Sequence, residues 1–124
     1  MGAIEDRLRE LGLTLPPLGT PPGGRPRLMR ARSSGNLLYL SGNGPLRDGQ
    51  IAYRGKVGQD LTIEEGYEAA RLTALNLLAV IKDALGDLDR VSAFVKHTSP
   101  HDPVHILIPR VARNPPDLAG SWAL

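Results

Sequence analysis

The sequence predicts one α+β domain in which a long helix packs on a β-sheet. Residues 37–40 and 91–96 are short apolar runs typical of strands, and residues 63–85 have the 3.6-residue periodicity of an amphipathic helix. A chain of 124 residues is long enough for one such domain and too short for two.

The predicted helix at 63–85 has recognisable signals at both ends. Thr62 and Glu65 form a capping box, in which each side chain accepts a hydrogen bond from a backbone N–H at the helix start. Gly86 is a suitable C-cap residue because glycine readily adopts left-handed backbone angles. The sheet-facing side is predicted from apolar residues three or four positions apart: Tyr67, Ala70, Ala74, Leu78 and Ile81.

The other predicted elements of the first 96 residues are short. A helix is predicted at 3–12, where apolar residues recur at helical spacing behind an acidic first turn. Residues 15–24 contain four prolines, which favour an extended connection. The remaining segments are strands at 27–32, 37–40, 51–53 and 91–96, with turns at 33–36 and 47–50.

The chain after residue 96 has a different character. Five prolines interrupt residues 97–124, and only 104–108 could form a strand. We therefore divide the chain into an incomplete α+β domain at 1–96 and an atypical proline-rich tail at 97–124. Residues 109–124 are expected to be poorly ordered or extended over the surface.

Composition excludes several classes of function. The chain has no cysteine, so disulfides, thiol catalysis and zinc–thiolate sites are excluded. A net charge of +2 is too small to indicate a nucleic-acid or membrane partner. No run of about 18 apolar residues exists, and Glu5 and Asp6 stand where a signal peptide would be basic and then apolar. A cytoplasmic protein is expected.

Three histidines have a spacing that would suit a metal on a helix. His97, His101 and His105 are four residues apart, but Pro100 and Pro103 prevent a helix between them. The sequence therefore predicts no metal site.

Four arginines form a basic cluster on a predicted strand. Arg25, Arg27, Arg30 and Arg32 could bind phosphate, or they could form a solvated strand edge whose charges discourage pairing with other chains. No aromatic residue lies between them, as stacking on single-stranded nucleic acid would require. The solvated edge is the favoured interpretation.

Several motifs together resemble the RidA/YjgF-like family of reactive-intermediate deaminases (Rid). Residues 35–43 read G-N-L-L-Y-L-S-G-N, like a strand motif of that family, and G-K-V-G follows at 55–58. The long helix comes next, and residues 86–91 match the family's G-D-L-D-R-V link into the following strand. Because order and spacing agree over about 90 residues, the resemblance is more specific than one short motif.

The resemblance implies a chorismate-mutase-like fold, a mixed sheet with helices on one face, assembled as a homotrimer with ligand sites between subunits. It implies hydrolysis of reactive enamines and imines of the 2-iminopropanoate type, without a metal or an organic cofactor. Its substrate-binding residues correspond here to Ser41, Gly42 and Asn43, where Asn43 replaces the usual glutamine. The resemblance implies that the backbone N–H after Ser41 helps to orient the substrate and that an arginine from the C-terminal half holds the substrate carboxylate. Catalytic residues remain unassigned.

The sequence also departs from the family. The second helix and the last strands have no counterpart, and neither does the arginine that would hold the substrate carboxylate. Arg110 follows a proline, as the family arginine often nearly does, but no helix precedes it, and we interpret that likeness as accidental.

These departures leave three main interpretations open. The chain is at best an enamine or imine deaminase, a hydrolase. Alternatively, it is a non-catalytic trimeric protein that binds a small imine or carboxylate, or a truncated or frame-shifted product without function. RNA binding through the arginines is a weaker alternative. The missing arginine favours a binding protein or a product without function over a hydrolase, because function resides in the site and not in the fold.

Overall fold

A computed structural model describes residues 2–18, 29–48, 50–98 and 106–111 of the chain. Two helices and a four-stranded sheet within these residues confirm the predicted α+β class. In chain order the elements are α1 (Ala3–Glu10), β1 (Ala31–Ser34), β2 (Leu37–Leu40), β3 (Leu46–Arg47), β4 (Gln50–Ile51), α2 (Ile63–Leu85), a 3-10 turn (Leu88–Arg90), β5 (Val91–Thr98) and β6 (Ile106–Val111).

The sheet has the strand order β1-β2-β6-β5, and all three pairings are antiparallel. β1 and β2 form a hairpin whose turn consists of Gly35 and Asn36 alone, with Gly35 at a φ of 59° that glycine adopts without strain. The predicted turn at 33–36 was therefore two residues too long. The ladder continues to Ser33 and Ser34 because the tight turn brings them directly opposite Leu38 and Leu37.

A second hairpin follows the β2 strand. Arg47 pairs with Gln50, and Asp48 has a φ of 54°, which confirms the tight Asp-Gly turn predicted at 47–50. Its strands are shorter than expected, since the predicted strand at 51–53 ends at Ile51.

The C-terminal segment contributes an interior strand. β6 lies between β2 and β5, and the Val111 N–H donates to the Asn36 carbonyl at 2.7 Å. The predicted strand at 104–108 is thus shifted, and the expected disorder from residue 109 onward is wrong for Pro109–Val111. Pro109 is fully buried, so apolar burial holds this end of the strand in the sheet. Residues 112–124 lie outside the described part of the chain.

The long helix forms as predicted, with a different side facing the sheet. α2 spans Ile63–Leu85, both hydrogen bonds of the capping box are present, and Gly86 has a φ of 80°. Of the predicted face, Ile81 is fully buried and Leu78 is partly buried against the core. Tyr67, however, is 70% exposed, and Ala74 is also exposed.

The buried face of α2 is rotated relative to the prediction. Its members are Ala69, Thr73, Asn76, Leu77, Ala79, Val80 and Ile81. Leu77, Val80 and Ile81 among them form a core cluster with the inward-facing Leu38 and Leu40 of β2 and with Leu88 and Val91. The alternation of β2, with Leu38 and Leu40 buried and Tyr39 exposed, leaves the other side of the sheet uncovered by α2.

The short N-terminal helix is fixed to the turn before β5. The Asp89 carboxylate accepts hydrogen bonds from the Ala3 and Ile4 N–H groups at 2.8 and 3.0 Å, and Lys82 forms an ion pair with Glu5 at 3.1 Å. An acceptor supplied by another element thus satisfies two N–H groups that have no partner within the helix. The helix ends at Glu10, two residues before the predicted limit.

Candidate functional site

The predicted ligand-binding residues follow β2 directly. We call residues 41–44 the bend after β2. The Ser41 N–H donates to the Arg30 carbonyl at 3.0 Å, and the Ser41 hydroxyl donates to the Met29 carbonyl. The Asn43 side-chain amide donates back to the Ser41 carbonyl at 3.1 Å. Because its proton is engaged by a backbone carbonyl, the Ser41 hydroxyl is not paired with a base as a nucleophile would be.

This bend is fixed to the long helix by one buried side chain. Asn76 is 8% exposed, and its Nδ2 donates to the Gly44 and Leu46 carbonyls at 3.2 and 3.0 Å. The backbone that follows Asn43 is therefore attached to α2. Such an attachment limits the motion of the candidate site.

The end of β2 is accessible to a ligand. Ser41 and Gly42 are both exposed. A backbone N–H at the end of a strand can donate to a carboxylate or carbonyl oxygen of a ligand. This is the role that the family resemblance implied for the N–H after Ser41.

The side of the sheet opposite α2 extends from this bend along the strands. We call this side the open face; it includes Arg32 of β1, Tyr39 of β2 and Arg110 of β6, all exposed. Arg32 lies directly opposite Tyr39, which is 45% exposed.

Arg110 is part of the strand β6. It lies opposite Leu37, its Nε donates to the Ser92 hydroxyl at 3.0 Å, and that hydroxyl donates to the Arg110 carbonyl at 3.2 Å. Ser92 thus orients the guanidinium. However, Leu37 is four residues from Ser41, roughly 13 Å along β2 at about 3.3 Å per residue. One small ligand cannot contact both positions in the same chain.

Two other arginines lie much nearer the bend. The register of the β1–β2 hairpin places Arg30 directly opposite Ser41, in line with the pairs Ala31–Leu40 and Arg32–Tyr39. Side chains directly opposite each other have Cβ atoms about 4.5–5.5 Å apart. Since Ala31 packs against the core, strand alternation places Arg30 and Arg32 on the open face.

The sequence interpretation of these arginines as a solvated edge missed their position beside the site. A two-residue turn at Gly35 and Asn36 would have predicted the pairing of Arg30 with Ser41, but the turn was predicted as four residues. Arg25 and Arg27 lie outside the described part of the chain.

The charge of the sheet favours an anionic ligand. The four strands contain no Asp or Glu, whereas they carry Arg32, Lys96 and Arg110, and Arg30 directly precedes β1. Cations on a sheet whose strands carry no carboxylate attract a small anion and steer its approach. The same absence means that no described carboxylate of these strands can position a water molecule.

The described residues contain no group of three His, Asp or Glu side chains arranged to hold a metal ion. Among the predicted histidines, His97 lies exposed on β5, while His101 and His105 lie outside the described ranges. Neither described helix combines the length and the apolar character needed to cross a bilayer.

A shallow depression of about 540 Å³ lies on another side of α2, remote from the bend. It is lined by Leu15, Pro16, Leu18, Ala79, Lys82, Asp83 and Gly86. Its one cation, Lys82, is already paired with Glu5. The bend after β2 is therefore the better candidate for an anion site.

Comparison with known proteins identifies relatives of this chain. A sequence model of the family described as "YjgF/chorismate_mutase-like, putative endoribonuclease" matches residues 5–105. Protein TCP17 of Trypanosoma cruzi is 37% identical over 95 residues, which cover 77% of this chain and 58% of that protein. The chain thus matches little more than half the length of this relative.

Two solved structures resemble the fold. A protein of unknown function from Agrobacterium tumefaciens has a TM-score of 0.71 at 29% identity, covering 87% of this chain and 92% of that one. A "putative endoribonuclease" from Shewanella oneidensis has a TM-score of 0.75 at 23% identity, covering 89% of this chain and all of the other. The second likeness concerns the fold alone.

Proposed function

Because the chain belongs to the YjgF/chorismate-mutase-like family, we propose that it binds small carboxylates of the 2-keto and 2-imino acid class at the bend after β2. The ligand-binding residues are Ser41, Gly42 and Asn43. In this proposal, binding is the main function. Hydrolysis of a bound imine is a second and slow activity.

One observation carries this proposal. The exposed residues Ser41 and Gly42 lie at the end of a sheet face that has arginines and no acidic side chain on its strands. A planar 2-keto or 2-imino carboxylate can accept hydrogen bonds from a backbone N–H and from a guanidinium at once. Charge-assisted hydrogen bonds to a guanidinium are about twice as strong as neutral ones, which favours the carboxylate over a neutral ligand.

Hydrolysis of a bound imine would follow the chemistry that the family resemblance implies. Water adds to the imine carbon to give a carbinolamine, both hydrogens of that water pass to the nitrogen, ammonia leaves, and the water oxygen remains as the keto oxygen of the 2-keto acid. Positioning of the water contributes much of the rate in cofactor-free reactions. Because the described strands supply no carboxylate for this step, we expect the rate to be close to that in buffer.

We further propose that the protein acts as a cytoplasmic homotrimer. Tyr39 and the half-buried Leu37 lie on the open face without cover from the described residues of this chain. Burial of such apolar side chains between subunits stabilises an assembly. Analytical ultracentrifugation is expected to give three times the chain mass of 13.3 kDa, and a monomer at micromolar concentration would contradict this part.

Titration with a stable keto acid tests the binding function directly. We expect the amide resonance of Gly42 and those of its neighbours to shift saturably when 2-ketobutyrate is added to ¹⁵N-labelled protein. Butyrate, which has the carboxylate but not the keto oxygen, serves as the matched control ligand and should bind more weakly. If the Gly42 amide does not respond while other regions do, the ligand site is elsewhere.

A rate measurement tests the proposed hydrolysis of an imine. Freshly generated 2-iminopropanoate should form ammonia and pyruvate at nearly the same rate with and without the protein. Robust turnover that Arg110→Ala abolishes would contradict this expectation. It would also identify Arg110, acting from a neighbouring subunit, as the arginine that holds the substrate carboxylate.

A further inference from the structure

We propose that Arg30 supplies the guanidinium that holds the ligand carboxylate, in place of the family arginine for which the sequence has no match. This inference rests on the proposed binding function and concerns the same site. It assigns the specificity for an anion to the β1 side of the sheet, in contrast to the C-terminal half from which the family resemblance draws its arginine.

The first argument is the register of the hairpin. The hydrogen bond from the Ser41 N–H to the Arg30 carbonyl, 3.0 Å long, fixes the two residues as direct neighbours across the strands. The next residue along the chain is Gly42, which is also exposed. A ligand at Gly42 is therefore within the range of a long side chain at Arg30.

The second argument is the rigidity of this position. Ser41 is bonded to both residues that precede Ala31, through its N–H to Arg30 and through its hydroxyl to Met29. These two bonds extend the β1–β2 pairing beyond the regular ladder, so the backbone of Arg30 is fixed relative to the site. Fixed donors bind a ligand with less loss of conformational entropy than mobile ones.

The third argument is the position of Arg110, the alternative arginine. Arg110 lies opposite Leu37, which is roughly 13 Å from Ser41 along β2 at about 3.3 Å per residue. It cannot contact a small ligand at Gly42 of its own chain. Arg30 makes an additional interaction of its own, but a guanidinium has five N–H donors and can keep one partner while it binds a carboxylate.

Three variants separate the candidates: Arg30→Gln, Arg110→Gln and the control Arg47→Gln, which changes an exposed arginine on the β3–β4 hairpin. Each is titrated with 2-ketobutyrate, with the Gly42 amide resonance as the probe. We expect Arg30→Gln to weaken binding by about 10–100-fold, the range for loss of a hydrogen bond to a charged group. Arg47→Gln should bind like the unmodified protein.

Further readouts identify the cause of any loss. Arg30→Lys keeps the charge but not the planar fork, so it should recover only part of the affinity. Unchanged amide spectra of the free variants establish that the fold is intact. Equal binding by Arg30→Gln and the unmodified protein overturns the assignment of Arg30 alone. If the unmodified protein does not bind 2-ketobutyrate, both this assignment and the proposed function are overturned.

Discussion

Replacing Asn76 with alanine should both destabilise the protein and loosen the candidate site. Asn76 is buried in α2, and its amide donates to the carbonyls of Gly44 and Leu46, on the backbone just after the predicted ligand-binding residues. Alanine removes both donors and leaves a small cavity at the contact between the helix and the bend.

The size of the effect follows from the two hydrogen bonds. Each contributes about 0.5–1.5 kcal/mol net to stability, so their loss should cost roughly 1–3 kcal/mol. For a domain of this size that corresponds to a fall in melting temperature of roughly 5–20 °C. Asn76→Asp should cost more, because an ionised carboxylate cannot donate and would direct its charge at two carbonyl oxygens.

Urea unfolding combined with amide hydrogen exchange measures both consequences. We expect faster exchange in the segment that contains Gly44 and Leu46, together with weaker binding of 2-ketobutyrate at Gly42. Gln59→Ala is the matched control, because Gln59 is an exposed amide, and its unfolding free energy should stay within about 0.5 kcal/mol of the unmodified protein. A change for Asn76→Ala as small as that of the control would refute the role assigned to these hydrogen bonds.

Three further predictions test the fold. Ile81→Ala should cost about 2–5 kcal/mol, because Ile81 is fully buried, whereas Tyr67→Ala should change the unfolding free energy by less than about 0.5 kcal/mol; equal costs would contradict the observed orientation of α2. Asp89→Ala should cost about 0.5–2 kcal/mol through the two N–H groups of α1 that lose their acceptor, while the exposed Asp83→Ala serves as its control. Thr62→Ala should cost about 1 kcal/mol by removing the capping hydrogen bond of α2, and unchanged thermal unfolding would argue against that contribution.

The candidate site could be predicted from the sequence only in part. The residues Ser41, Gly42 and Asn43 were identified through a resemblance of motifs, and the structure places them on an accessible bend. That assignment as a ligand site remains a prediction. The neighbourhood of Arg30 could not be predicted in the same way, because it depends on a hairpin register that changes with the exact length of the turn.

By itself, the sequence determined the elements whose signals are local. The bounds of α2 follow from Thr62, Glu65 and Gly86, since a capping box and a left-handed C-cap involve only residues adjacent along the chain. The Asp-Gly turn and the strand at 37–40 were predicted for the same reason.

The buried side of α2 and the position of β6 depend on contacts between distant parts of the chain. Apolar residues occupy more than one side of α2, so periodicity alone could not distinguish the exposed Tyr67 from the buried Leu77. The insertion of β6 between β2 and β5 joins segments that are far apart in the chain. Such pairing depends on burial and hydrogen bonding between distant residues, and local propensity carries no information about it.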